Sequence, residues 1–208
     1  MTTSKDELTK RPSPEERLGV GDDHPFEPFL PANARLLMLG TFPPSEKRWS
    51  MKFYYPNFQN DMWRIVGYCF FGDKQHFVDN QQKRFRLDEL VPFLRKQGIA
   101  LYDTCTKIVR TKNTASDKDL AVIEETDLHA MLRRLPQCCA VATAGQLATT
   151  IACRQFAVSE PKVGDYVTFD IDGRQMRLYR MPSSSRAYPM AIEKKAEYYK
   201  TVFNYLNP

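Results

Sequence analysis

Residues 35–40, RLLMLG, form a short continuous apolar run that stops at a glycine. A strand reads this way when both of its faces are buried, as in a parallel sheet covered by helices. The stretch that follows, TFPPSEKRWSMKFYYPNFQN, contains Pro43, Pro44 and Pro56 and cannot be a regular element. A long aromatic and basic loop leaving a buried strand is the usual place for function.

The rest of the chain repeats the strand–helix alternation. Asn60 or Asp61 can cap a helix running through Trp63, Ile65, Val66 and Phe70 to Gly72. A second helix fits Leu87–Gln97, with Pro92 inside it and Gly98 as its stop. Residues 99–102 read as a buried strand, and the following TCTKIVRTKNTASDKDL reads as loop-rich. A helix near 126–135, a strand at 139–143 and a helix from Gly145 through Ile151 come next. Tyr166–Ile171 alternates like a strand, Asp172-Gly173 is a turn dipeptide, and 175–180 forms the returning strand. After the loop MPSSSRAYP, residues 190–206 show helical spacing at Ile192, Ala196, Tyr199, Val202, Phe203 and Leu206. The order predicts an α/β domain with a mostly parallel sheet. Sites in such sheets form outside the carboxyl ends of the strands, here at loops 41–60 and 181–189.

Composition narrows the possibilities. With 208 residues and 42% hydrophobic content, the chain holds one domain that needs no staple. Residues 1–23 read as a disordered acidic tail and 24–208 as a single α/β domain. Within the domain, HPFEPFLP reads as an extended arm pinned by Phe26, Phe29 and Leu30. No apolar run reaches the roughly 18 residues of a membrane span, and the N-terminus lacks an apolar signal core. Five cysteines without CxxC spacing, and three scattered histidines, predict reduced thiols in a cytoplasmic protein with no metal site. GTFPPS lacks the glycine patterns of dinucleotide or P-loop sites, and GxSxG is absent. Cys105 near Asp103 reads as a structural thiol.

The first 30 residues carry four basic and seven acidic side chains, so the whole-chain charge of +5 leaves the remainder at +8. A basic body favours a polyanionic partner, with a solvated lysine-rich surface as the alternative. Residues 174–200 hold seven basic and two acidic residues around the serine loop. Arg177, Arg180 and Arg186 are candidates for phosphate contact, and strand alternation puts Arg174 and Arg180 on one face. The two loops together suggest a polar pocket, poor in carboxylates and rich in aromatics, able to read the edge of a planar ring. Tyr54, Tyr55 and Trp63 read as core aromatics.

LGTFPPS, FYYPNFQNDMWRIV, GIALYDT and MPSSSRAYP, in that order, resemble the uracil-DNA glycosylase superfamily, nearest its mismatch-specific and hypoxanthine-type branches. The resemblance runs from about residue 35 to 206. It implies a three-layer α/β/α fold, a short parallel sheet and a cleft that takes double-stranded or single-stranded DNA, in a monomer. It also implies hydrolysis of an N-glycosidic bond to a deaminated base, uracil or hypoxanthine, without metal or cofactor. Asn57 is implied as the catalytic residue, because Phe42 stands where several branches carry Asp or Asn. Gly40, Thr41, Phe42 and Ser45 are implied to hold the base, and Phe53 to stack on it. Ser183, Ser184, Ser185 and Arg186 are implied to contact DNA. A non-catalytic nucleic-acid-binding module on the same fold is the second reading, since Phe42 replaces the usual motif residue. A small-molecule hydrolase or nucleoside-binding protein is the third.

Overall fold

A computed structural model describes residues 21–112, 114 and 116–206. The tail expectation for residues 1–20 lies outside the described residues. Asp22–Asp23, placed in the tail by sequence, form strand β1. It pairs antiparallel with a distant strand, Asp22 opposite Ile108 and Asp23 opposite Lys107.

The apolar run becomes β2 (Leu36–Gly40), buried along its whole length. It lies inside a five-stranded sheet of order β5-β2-β8-β10-β9, with β5 at Ile99–Asp103, β8 at Ala140–Ala144, β9 at Tyr166–Ile171 and β10 at Arg174–Met181. The first four are parallel and β9 is an antiparallel edge, so the sheet is mostly parallel as expected. Helices flank it. They are α1 (Met62–Phe71), α2 (Leu87–Gln97), α3 (Leu128–Arg133), α4 (Gln146–Gln155) and α5 (Ile192–Leu206). α1 packs on α5, α2 on β5, and α4 on β8. Fully burying one leucine in this core stabilises the fold by about 1.5–3 kcal/mol. Phe29 bridges to Leu101, and Phe26 and Leu30 pack on the core, so the arm is pinned as its prolines suggest.

One local reading needs correction. The segment read as loop-rich is a hairpin of β6 (Cys105–Arg110) and β7 (Leu120–Glu125), which with β1 makes a second, three-stranded sheet. Its half-exposed strands and long polar connection hide it from a search for apolar runs. The α1 N-terminus is capped by Asn60, whose Oδ1 accepts from the Met62 N–H at 2.9 Å. Asp61 makes no side-chain cap. A small β3 (Val78–Asp79) and β4 (Arg84–Phe85) ribbon also lies between α1 and α2.

The Asp61 carboxylate has another use. Its Oδ2 accepts from Lys195 Nζ at 3.1 Å, and its Oδ1 accepts from Arg186 at 3.1 and 3.2 Å. Lys195, on α5, is fully buried and also donates to the Ser185 carbonyl at 2.8 Å. The Asp61 N–H donates to the Ser184 carbonyl. These bonds fasten the first-strand loop to the serine loop. Removing one member leaves a buried charge uncompensated, at about 3–5 kcal/mol. Asp61→Asn should therefore lower unfolding stability in urea by about that much, and adding Lys195→Met should recover a large part. A loss below about 1 kcal/mol would mean that the pair does not hold the loops.

Candidate active site

The carboxyl ends of β2, β5 and β8 open into a cleft of about 260 Å³. One wall is the first-strand loop and the other is the serine loop. The two loops meet through the Asp61 network and the isolated bridge between Asn60 and Ser185.

Gly40, Thr41, Phe42 and Asn57 line the cleft on one side, and Ser183, Ser184, Ser185 and Arg186 on the other. Thus most of the sequence-derived candidates are brought together. Two are not. Phe53 packs against Phe29, Tyr54 and Trp63, with its ring 27° from the Trp63 plane, and does not line the cleft. Tyr55, two residues on, lines the cleft instead, and its backbone is left-handed (φ 49°). Ser45 opens the short 3-10 turn Glu46–Arg48 and lies outside the cleft.

The Asn57 amide is held in a turn, its Oδ1 accepting from the Gln59 N–H at 2.9 Å. Its Nδ2 makes no hydrogen bond among the described residues, so a donor is left for a ligand. Phe42 offers a ring at the cleft wall. It is braced from behind by His24 (ring centroids 5.2 Å apart) and by the Arg110 guanidinium, 5.6 Å from its centroid.

The cleft is not poor in carboxylates. Asp103, the polar end of β5, lines it with only 6% exposure. Its Oδ2 is 2.9 Å from His24 Nε2, and His24 Nδ1 is 2.8 Å from the Phe26 carbonyl. The Phe26 N–H also points at Nδ1, at 3.2 Å, so the imidazole is held on both ring nitrogens. A side chain at position 40 would collide with Asp103 Oδ1, which is why β2 must end in glycine. Asp117 enters from the connection between β6 and β7 and accepts from the Thr41 hydroxyl at 2.8 Å. Burial raises its pKa, and the nearby Asp103 charge adds to the rise while the Thr41 bond opposes it. The Tyr55 hydroxyl is buried without a hydrogen-bond partner, and burial with the Asp103 and Asp117 charges pushes its pKa up.

Sequence reasoning missed His24, Tyr55 and Asp117. The polar end of the buried strand IALYD was a usable signal for Asp103. Nothing local marked Asp117, which reaches the site only through the hairpin. All five cysteines are free thiols, and burial pushes Cys105 up to about 12, as suits a structural residue. Among the described residues no group of three or more His, Cys, Asp or Glu side chains is placed to hold a metal, and no helix is long and apolar enough to cross a membrane.

The basic cluster behaves differently from its composition. Arg174 lies at the end of β10 away from the cleft and donates to the carbonyls of Leu132, Leu135, Pro136 and Cys138. Arg177 sits between the Tyr166 and Tyr205 rings, at 4.5 and 4.1 Å. Arg180 is tied to the Pro161 carbonyl and to Glu160. Of the three arginines proposed to meet phosphates, only Arg186 lines the cleft, and it is paired with Asp61.

No protein-family model matches this chain, and no curated protein matches it. Among solved structures, the chain is similar to a solution structure from Methanosarcina acetivorans described as a "putative Uracil DNA glycosylase". The two are 21% identical, the match covers 89% of this chain and 99% of the other, and the TM-score is 0.59. The fold of this chain therefore resembles that of the archaeal protein, a mixed α/β domain with a mostly parallel sheet of five strands flanked by helices.

Proposed function

We propose that this protein is a monofunctional DNA glycosylase that hydrolyses the bond between deoxyribose and a deaminated base, acting as a monomer. One observation carries the reading. The cleft at the carboxyl end of the sheet combines an aromatic wall, a free amide donor at Asn57 and two carboxylates, all between loops that resemble those of the uracil-DNA glycosylase superfamily. The fold likeness to the archaeal protein supports the same reading.

The chemistry fits the cleft. Breaking the N-glycosidic bond leaves an oxocarbenium-like sugar and an anionic base. Donors aimed at the base stabilise that charge as it develops. Asn57 Nδ2 supplies one donor, and the Phe42 ring gives the flipped base a face to lie against. Ser185, Arg186 and Ala187 are exposed at the mouth, where the serine loop would press on the strand. The base must first leave its stack, which costs a few kcal/mol and is cheaper from a mismatch. The cleft residues need no metal or cofactor for these steps.

Duplexes carrying uracil, hypoxanthine, xanthine or a G·T mismatch, followed by alkaline cleavage at abasic sites, test the activity. Release of uracil or hypoxanthine is expected, and it should persist in EDTA. Salt-dependent DNA binding with no release from any duplex would put the non-catalytic binding module in its place.

Asn57→Ala separates catalysis from folding. The catalytic role predicts a fall in single-turnover base release of roughly 100-fold or more, with DNA affinity nearly intact. A purely structural turn residue predicts a loss of order 1 kcal/mol in stability and an unchanged rate.

A further inference from the structure

We propose that Asp117 is the catalytic base that takes a proton from the attacking water; the assignment rests on the glycosylase reading above. The first-strand loop carries no carboxylate of its own, since Phe42 occupies the position beside Thr41. The fold supplies one from elsewhere. Asp117 crosses from the β6–β7 connection and binds the Thr41 hydroxyl at 2.8 Å, one residue before Phe42.

Its seat lies over the centre of the sheet. Thr41 directly follows β2, and Gly145 directly follows β8, the neighbouring strand. A Cβ at position 145 would come within 3.4 Å of Asp117 Oδ2, and the backbone there (φ 130°) suits only glycine. Asp117 therefore stands where the two central strands end, the crevice in which open α/β sheets do their chemistry. Oδ2 is occupied by Thr41, while Oδ1 has no hydrogen-bond partner among the described residues. One oxygen is thus fixed and the other keeps its acceptor capacity at the cleft wall.

Asp103 is the only other carboxylate in the cleft among the described residues, and it is committed. Its Oδ2 is bonded to His24, and its Oδ1 is packed on Gly40. The burial that raises the Asp117 pKa makes its ionised form a stronger base than an exposed carboxylate, as general-base catalysis requires. In the step, the water oxygen forms a bond to C1′ while the C1′–N bond breaks. The bonding pair leaves with the base, and the water proton passes to Asp117 Oδ1. The departing base anion is protonated by solvent, and Asp117 later returns its proton to solvent.

The same burial makes a second, independent prediction. A carboxyl group whose folded pKa is raised lowers stability as pH rises from its unfolded pKa through its folded one, so the ionised group destabilises the fold at neutral pH. Asp117→Asn keeps an acceptor for Thr41 and removes that charge. It should cut the single-turnover rate on the wild-type enzyme's best duplex by about 100-fold or more. The melting temperature at pH 7 should hold or rise, and DNA affinity should stay within a few-fold.

Asp117→Ala provides the second arm, with added formate as a soluble carboxylate. Formate should restore part of the lost rate in Asp117→Ala and leave Asn57→Ala unimproved. A rate for Asp117→Asn within threefold of wild type overturns the assignment alone. So does a rate loss that tracks a fall in melting temperature and is not rescued by formate. Absence of base release by the wild-type protein from every duplex overturns the glycosylase reading, and this assignment with it.

Discussion

The buried carboxylate of Asp61 is the contact on which the cleft depends. Two loops far apart in sequence form its walls, and beyond the single 3-10 turn at Glu46–Arg48 neither has regular structure to hold it. Asp61 stands at the start of α1 and reaches Lys195 and Arg186, while its own N–H holds the Ser184 carbonyl. Lys195 in turn holds the Ser185 carbonyl, so α1, α5 and the serine loop meet at one point. A hydrophobic replacement of such a group often leaves stability unchanged or improves it. What packing alone would not supply is direction. The ion pair fixes where the serine loop sits above the ends of the strands, and an apolar plug would leave that loop free to shift.

This arrangement also answers what the basic residues do. Composition shows a positive concentration around the serine loop, and its natural reading is a phosphate-binding surface. In the fold, Lys195 and Arg174 spend their charge on internal acceptors, and Arg177 is sandwiched between tyrosines. Charge counted along a sequence measures supply and says nothing about where the partners are. The +8 of the body still sets the long-range field that would draw a polyanion in. Under the glycosylase reading, contact at short range would fall to the exposed residues at the cleft mouth, Arg186 and Ala187 among them.

The sheet was legible in the sequence because burial on both faces leaves a plain mark. Residues 36–40 have no polar side chain to place, and the same holds for the start of β5. Helix stops at Gly72 and Gly98 were legible for a similar reason, since a left-handed residue ends each helix there. The hairpin was not, because each of its strands buries little and its amphipathic pattern is broken by a bulge. That omission removed Asp117 from view, and with Asp103 left unread at the end of β5 the pocket looked poor in carboxylates. Phe53 failed differently. Three consecutive aromatics, Phe53, Tyr54 and Tyr55, cannot be sorted into core and cleft without knowing that the third has a positive φ. His24 was invisible as a site residue because its partner Asp103 lies 79 positions away.

The cleft concentrates features that a fold optimised only for stability would lack. Tyr55 holds a left-handed backbone with a buried hydroxyl that bonds to nothing among the described residues. Asp117 keeps a carboxylate where burial disfavours its charge. His24 and Asp103 meet in a nearly sealed corner, with side-chain exposures of 3% and 9%. Each of these is the kind of local cost, of order 1–3 kcal/mol, that persists only when its surroundings over-determine it. The surroundings here are the fully buried strands β2 and β5, the hairpin that carries Asp117, and the Asp61 network that holds the opposite wall. The rigid sheet keeps a carboxylate, an amide donor and an aromatic face from relaxing toward their own lowest-energy contacts. That constraint leaves polar atoms without protein partners at the one end of the sheet where two central strands stop together.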